Sequence, residues 1–475
     1  MNACIPRMIC LLALTALGSA QAITNLTSTL AEQTKVAVTV YHNGFGVVRD
    51  ERRLTLPTGE VALRFMEIAS AIQPETVQID PLTAGPQLTV LEQNYEYDLL
   101  SPAKLLEKYV GQTLTLIQRN DYKDARIPVQ AQLLSYNNGQ PIFKIGDKIV
   151  INRPDEEIEL VALPENLVAQ PTLVWLLANR WAGPQTIVAN YMTGGMDWRA
   201  DYVAVLTTND ARCNLNGWVT INNNCGATFQ NAQVKLVAGE VQRVAAPRRV
   251  KGEMLMEMAV AASPRAFAEE GLFEYHLYTL QRPSTLKQNQ QKQLSLLEAR
   301  DVAIAKTYRC IGEQYWYRNQ MGGTLQRMPV GVFVSFTNST AQGLGMPLPK
   351  GIVRVYKADA SGNNQFIGED NLDHTPKDER ITLKLGNAFD IVAERRQTDY
   401  TKLSDTMCET AWTIQLRNHK DEDILVELVE PIGGDWTMQQ NSQPYEKRDA
   451  ATAVFQVPVK ARATVDCTYR VRVKQ

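Results

Sequence analysis

Histidine is scarce in this sequence: only His42, His276, His374 and His419 occur in 475 residues. Zinc sites draw on imidazoles at set spacings, and no H-E-x-x-H or C-x-x-C pattern is present. The nucleophile elbow G-x-S-x-G, the phosphate-binding P-loop and the dinucleotide fingerprint G-x-G-x-x-G are missing too. These absences exclude the motif-bearing hydrolases, zinc peptidases and nucleotide enzymes, but not a carboxylate pair, which leaves no linear signature. Charge of one sign is also lacking, with 49 Lys and Arg against 51 Asp and Glu. A near-neutral chain without a dense basic run argues against nucleic acid as its main partner. The densest basic stretch, Arg243 to Lys251, reads as a solvated linker. Long apolar runs are absent beyond the first residues, and so are the aromatic girdles of an outer-membrane barrel.

That first apolar run, Met8 to Leu17, follows Arg7 and precedes the small residues Ala20 and Ala22. This is the three-part pattern of a secretory signal with an A-x-A site, so residues 1–22 are expected to be removed and the remainder exported to the periplasm or the exterior. Five cysteines remain: Cys213, Cys225, Cys310, Cys408 and Cys467. An odd number leaves at least one thiol free or paired between chains. Cys408 shares a strand face with Trp412, Ile414 and Leu416, and Cys467 with Val465, Tyr469 and Val471. This makes Cys408 and Cys467 the candidate disulfide, with two buried free thiols as the alternative. Cys213 and Cys225 bracket one extended segment and lie too far apart to bond.

Helical periodicity is rare and period-two alternation dominates, so the expected fold class is mainly β, built of antiparallel sandwich domains. After a stretch expected to be mobile up to about Thr34, Val36, Val38 and Val40 alternate into a turn at His42-Asn43-Gly44, a hairpin signal. Ser101 as cap, Pro102 at the first helical position and Gly111 as terminator mark one helix. The domain reading is an N-terminal β domain with that short helix (23–107), then a small SH3-like barrel module (108–165). A large β-sandwich (166–404) follows, with a mobile insertion near 241–270 in which Met254, Met256 and Met258 suggest a short helix, and an immunoglobulin-like domain (405–475) ends the chain.

Three places carry candidate ligand-binding residues. Trp198, Arg199 and Tyr202 lie in a strand of alternating charged and apolar residues; it reads first as a half-buried strand and second as an aromatic platform for sugars or peptides. Tyr315, Trp316 and Tyr317, taken as strand residues, cannot all face one side, which points to an interface or a partner-binding surface. His374 lies in the polar run Asp370 to Pro376, read as a turn between strands. Asp359 to Asn363 lacks spaced carboxylates and reads as a hairpin turn, not a calcium loop. No metal, cofactor or catalytic residue is assigned.

Several longer runs resemble the bacterial Domain of Unknown Function 4139 family: Tyr191 to Tyr202 (YMTGGMDWRADY), Asn214 to Val241, Gly343 to Asp359, Phe366 to Tyr400 and Arg417 to Pro431. The resemblance runs from about Lys35 to the C-terminus. It implies an exported β-rich protein without an assigned role and offers no catalytic residue to carry over. Two functions follow as expectations. The first is a non-enzymatic cell-envelope protein that binds an envelope protein or glycan or serves structurally. The second is an exported hydrolase using a carboxylate pair drawn from Glu369, Asp370 and Asp373 beside His374.

Overall fold

A computed structural model describes residues 23–83, 88–96, 101–120, 125–151, 157–162, 170–243 and 267–474. The chain is mainly β, as expected, and its described residues form six sheets disposed around three cores. The signal segment and Met254, Met256 and Met258 lie outside the described residues. Among the described residues, no helix is long and apolar enough to cross a membrane.

The largest core unites three sheets and also takes in Phe336, Ile381 and Leu383 from a fourth. One orders Thr24–Ser28, Gly59–Met66, Thr172–Asn179 and Leu88–Glu96. A second runs Phe267–Leu272, Tyr275–Leu280, Phe229–Ala238, Gln33–Tyr41, Phe45–Leu56, Gly183–Gly194 and Ile72–Pro81, with Ser284–Leu286 beside Phe229–Ala238. The third orders Gln290–Ala303, Arg212–Asn223, Met196–Leu206, Gly351–Ala358 and Asn364–Leu372. Strict alternation explains the last sheet's central strand: every second residue from Met196 to Leu206 is buried, the others half-buried. Arg52, fully buried, ties the first two sheets. It is paired with Asp50 at 2.8 Å, donates to the carbonyls of Ser28 and Met66, and stacks on Phe65 at 3.6 Å.

Residues 23–33 are ordered, contrary to the expectation of mobility. Thr24–Ser28 pairs in parallel with Gly59–Met66, and Thr29 with Glu32 forms a reciprocal cap on the short turn Leu30–Glu32. Nor are the sheets purely antiparallel. Parallel pairs join Gln33–Tyr41 to Phe229–Ala238, Met196–Leu206 to Gly351–Ala358 and Ala305–Ile311 to Ile424–Pro431. Each brings together strands from distant hairpins, which local turn signals do not encode.

The helix forms where the capping residues place it, at Pro102–Tyr109, with Ser101 Oγ accepting the Lys104 amide. Tyr109 joins Leu114, Leu116, Ala131, Leu133 and Phe143 in a separate small core. That core lies under a five-stranded antiparallel sheet of Lys148–Ile151, Gln140–Ile145, Ala125–Asn137, Thr113–Asn120 and Glu157–Glu159.

A third core lies between two C-terminal sheets. One runs Arg380–Asn387, Val330–Thr337, Ala305–Ile311, Ile424–Pro431, Thr452–Val459 and Tyr445–Lys447. The other runs Gln326–Met328, Ile391–Ser404, Met407–Asn418, Thr464–Lys474 and Asp435–Asn441. Ser404 ends Ile391–Ser404 and pairs with Met407 of Met407–Asn418 across a tight turn, so this sandwich takes in earlier strands too: Ala305–Ile311, Gln326–Met328, Val330–Thr337 and Arg380–Asn387.

The candidate disulfide does not form. Cys408 stands opposite Val473 on the neighbouring strand and Cys467 opposite Ile414, so the two sulfurs are six positions out of register. At about 3.3 Å per residue that offset far exceeds disulfide reach. All five cysteines are free and buried. Burial raises the Cys213 and Cys225 thiols to about 11 and those of Cys310 and Cys467 to about 12, which keeps them protonated and unreactive at neutral pH.

Candidate functional site

Three of the four histidines, widely separated in sequence, meet at one place. His42 lies in the expected turn, between Gln33–Tyr41 and Phe45–Leu56, where Gly44 takes the left-handed conformation at φ 76°. Its ring stacks on Trp198, centroids 4.0 Å apart and planes 23° from parallel. Its Nδ1 lies 2.9 Å from the Trp198 carbonyl oxygen. A carbonyl only accepts, so Nδ1 carries the proton and Nε2 is left as a buried acceptor with no partner among the described residues. The His374 ring stands edge-on to His42 at 5.8 Å. Burial, chiefly, drives the His42 imidazole down to about 4 and also lowers His374, so both are neutral at pH 7.

His374 is held by backbone geometry. Leu348 and Thr375 exchange two backbone hydrogen bonds of 2.8 and 3.0 Å, and the next amide along, Lys350 N–H, donates to His374 Nδ1 at 3.2 Å. This fixes the proton of the neutral ring on Nε2, a donor. Around it, three proline carbonyls that turns would leave open each accept a side-chain donor. Tyr278 Oη bonds Pro347, Tyr202 Oη bonds Pro349, and Asn338 Nδ2 bonds Pro376, at 3.0, 2.7 and 2.9 Å. His276, on Tyr275–Leu280, donates Nδ1–H to Glu269 at 2.8 Å, so its neutral form presents Nε2 as an acceptor. His276, His374, Tyr278, Glu274 and Gly239 line a cleft of about 200 Å³. Gly239 is required: its φ is 127°, and a Cβ there would come within 2.5 Å of the Tyr275 ring. The cleft therefore sets two imidazoles, each already held through Nδ1, a pair suited to an amide or hydroxyl.

Trp198 lies in a half-buried strand, the first of the two readings, and not on an aromatic platform. Trp198 and Tyr202 are buried, their polar atoms bonded to the carbonyls of Val237 and Pro349, and no face is left for a ligand. Arg199 lies on the outer face, paired with Asp201 at 3.2 Å. What Trp198 contributes is the floor beneath His42.

The Tyr315-Trp316-Tyr317 cluster is not a strand but a single 3-10 turn, Gln314–Tyr317. Tyr315 is exposed, while Trp316 and Tyr317 turn inward and wall a closed network around Arg395. The Arg395 guanidinium lies between the rings of Trp316 and Trp412, 4.3 and 3.9 Å from their centroids. It grips both oxygens of Glu430 at 2.8 and 2.6 Å and donates to Tyr469 Oη at 2.9 Å and Tyr317 Oη at 3.2 Å. Tyr317 also donates to Glu430, and the two tyrosine hydroxyls lie 2.7 Å apart. Gly312 makes room, since a Cβ there would stand 2.5 Å from the Glu430 carboxylate. Arg395 and Glu430 are wholly inaccessible, so this network holds the two C-terminal sheets together and receives no ligand.

Two of the three carboxylates of the hydrolase reading are already engaged, and separately. Asp370 accepts the amides of Asn371 and Lys384 at 2.8 and 2.7 Å, and Glu369 pairs with Arg354 at 3.3 Å. Asp359 does close a hairpin turn as expected, accepting the amides of Ser361 and Asn363. Among the described residues no cluster of three or more His, Cys, Asp or Glu side chains is arranged to hold a metal ion. His374 was legible in the sequence as a polar-loop histidine. His42, His276, Arg395 and Glu430 were not, because nothing in the linear order marks which distant residues meet. No family model matches the chain, and no curated protein matches it.

Proposed function

We propose that this protein is an exported, non-enzymatic binding component of the bacterial cell envelope, related to the Domain of Unknown Function 4139 family by the sequence runs quoted above. One observation carries the reading: His276 and His374 line one cleft with their Nδ1 atoms already committed to fixed partners. Such preorganisation suits recognition, because the polar groups are oriented before a ligand arrives and lose little freedom when it binds. Asp370 serves backbone amides and Glu369 an arginine, which supports binding over bond cleavage by that pair. A polar group small enough for about 200 Å³, such as an amide or hydroxyl of an envelope partner, is the occupant that fits.

The test is affinity capture from a detergent-solubilised envelope extract with residues 23–475 as bait, beside a His276→Ala/His374→Ala variant of unchanged unfolding midpoint. Material retained by the natural chain and lost by the variant supports the reading. Equal capture by both, or no specific capture, overturns it.

A further inference from the structure

The outer face of the C-terminal sandwich carries a second recess, unconnected with the histidine cleft. Four adjacent strands form it, in the order Ile391–Ser404, Met407–Asn418, Thr464–Lys474 and Asp435–Asn441. The two outer strands each carry a bulge at the same level. One falls between Gln397 and Asp399, opposite Trp412 and Ala411; the other falls between Met438 and Gln440, opposite Val471 and Arg470. Since Ala411 itself pairs with Arg470, the bulges flank one point from both sides. A bulge bends its strand and sharpens the local twist. Two of them facing each other over the small side chain of Ala411 account for a recess of about 430 Å³, within the range of roughly 300–1,000 Å³ typical of ligand sites.

Its lining is polar and mostly uncharged: Thr398, Thr413, Thr468, Gln440, Asn441 and Ser442. Thr413 and Thr468 are direct cross-strand partners. Ser442 pins the wall through two 2.8 Å bonds with Thr468, accepting its amide and donating to its carbonyl. The one charged lining residue, Arg470, is neutralised where it stands by Asp399 at 2.7 Å and Glu409 at 3.2 Å. Arg396 stands opposite Thr413 on the adjoining strand but does not line the recess. The aromatic rings beneath, Trp412 and Tyr469, belong to the core. Hydroxyls and amides that both donate and accept, on a concave surface with its charge cancelled, match a ligand rich in hydroxyls and free of charge.

We propose that this recess binds an uncharged oligosaccharide. The proposal deepens the binding reading above by naming a glycan as one partner, and it uses residues remote from the histidine cleft. The bulges shape the surface, Thr413, Thr468 and Gln440 supply the donors and acceptors, and Ala411 leaves the floor open.

Residues 23–475 would be titrated calorimetrically with uncharged tetrasaccharides, namely those of α-linked glucose, β-linked glucose and β-linked N-acetylglucosamine, and with tetragalacturonate as the charged counterpart. Two variants accompany the natural chain: Ala411→Leu, which fills the floor, and Thr413→Val/Thr468→Val, which removes hydroxyls at positions where valine suits a strand. The expected result is saturable binding of at least one uncharged sugar, weakened tenfold or more in both variants at unchanged unfolding midpoints. Binding of none of the uncharged sugars at millimolar concentration, binding only of tetragalacturonate, or binding that survives both variants overturns the proposal. Because the envelope capture depends on His276 and His374, its persistence alongside a negative titration would sink the sugar site alone. Loss of both would sink the wider reading with it.

Discussion

Removing Arg395 alone should unfold the C-terminal sandwich far more readily than removing Arg395 and Glu430 together. In an Arg395→Met variant the Glu430 carboxylate stays wholly buried and loses two charge-assisted bonds of 2.6 and 2.8 Å. Breaking one side of a buried ion pair costs about 3–5 kcal/mol. The loss of the guanidinium from between Trp316 and Trp412 adds to this, a desolvated cation–π contact being worth about 2 kcal/mol. In the Arg395→Met/Glu430→Leu variant no charge is stranded. One of the Tyr317 and Tyr469 hydroxyls, 2.7 Å apart, still donates to the other, and a single hydroxyl proton loses its acceptor. That double variant is therefore expected within about 2 kcal/mol of the natural chain, with a coupling energy of at least about 2 kcal/mol between the sites. Guanidinium unfolding followed by tryptophan fluorescence reads the effect, because Trp316 and Trp412 flank the substituted group. A single-variant cost below about 1 kcal/mol, or singles that simply add in the double, would refute the account of the network as one closed unit.

Acid should weaken the fold through His42. Its imidazole is held down to about 4 when folded against an ordinary 6.5, so the unfolded chain takes up the proton first and stability falls as pH drops from about 6.5 to about 4. The difference amounts to about 3 kcal/mol. A His42→Phe variant keeps a ring on Trp198 and should lose that part of the pH dependence in urea melts; identical pH profiles would show that His42 does not titrate as described. The five thiols of residues 23–475 should resist a thiol reagent in the native state and all five react in denaturant without reductant. Fewer than five reactive thiols would reveal a disulfide that the strand register forbids. A Gly351→Ala change would push a methyl to within 2.2 Å of the Ala200 carbonyl on the parallel neighbour. A loss of about 2–3 kcal/mol in a melt is expected from such overpacking, and a neutral result would contradict that close strand pairing.

Local chemistry was the legible part of this chain. Alternation at Met196–Leu206 set a half-buried strand, His42-Asn43-Gly44 set a hairpin, and Ser101-Pro102 with Gly111 bounded the helix; each signal acts within a few residues of its effect. Alternation also identified the buried faces of Cys408 and Cys467, but it says which side a residue faces and not which residue stands opposite. That is why the disulfide expectation failed by six register positions. The aromatic triplet misled for a related reason: a strand reading divides Tyr315, Trp316 and Tyr317 between two faces, whereas a 3-10 turn lets Trp316 and Tyr317 close over an arginine 78 residues away from Tyr317. Only the tertiary structure brought His42, His276 and His374 together, joined distant strands in parallel, and set two bulges across from each other over Ala411. Those outcomes depend on which strands become neighbours and in what register, and long-range pairing of that kind is decided by the collective burial of whole sheets. The sequence alone determined where strands run and which faces they bury, because backbone sterics and side-chain hydrophobicity act residue by residue.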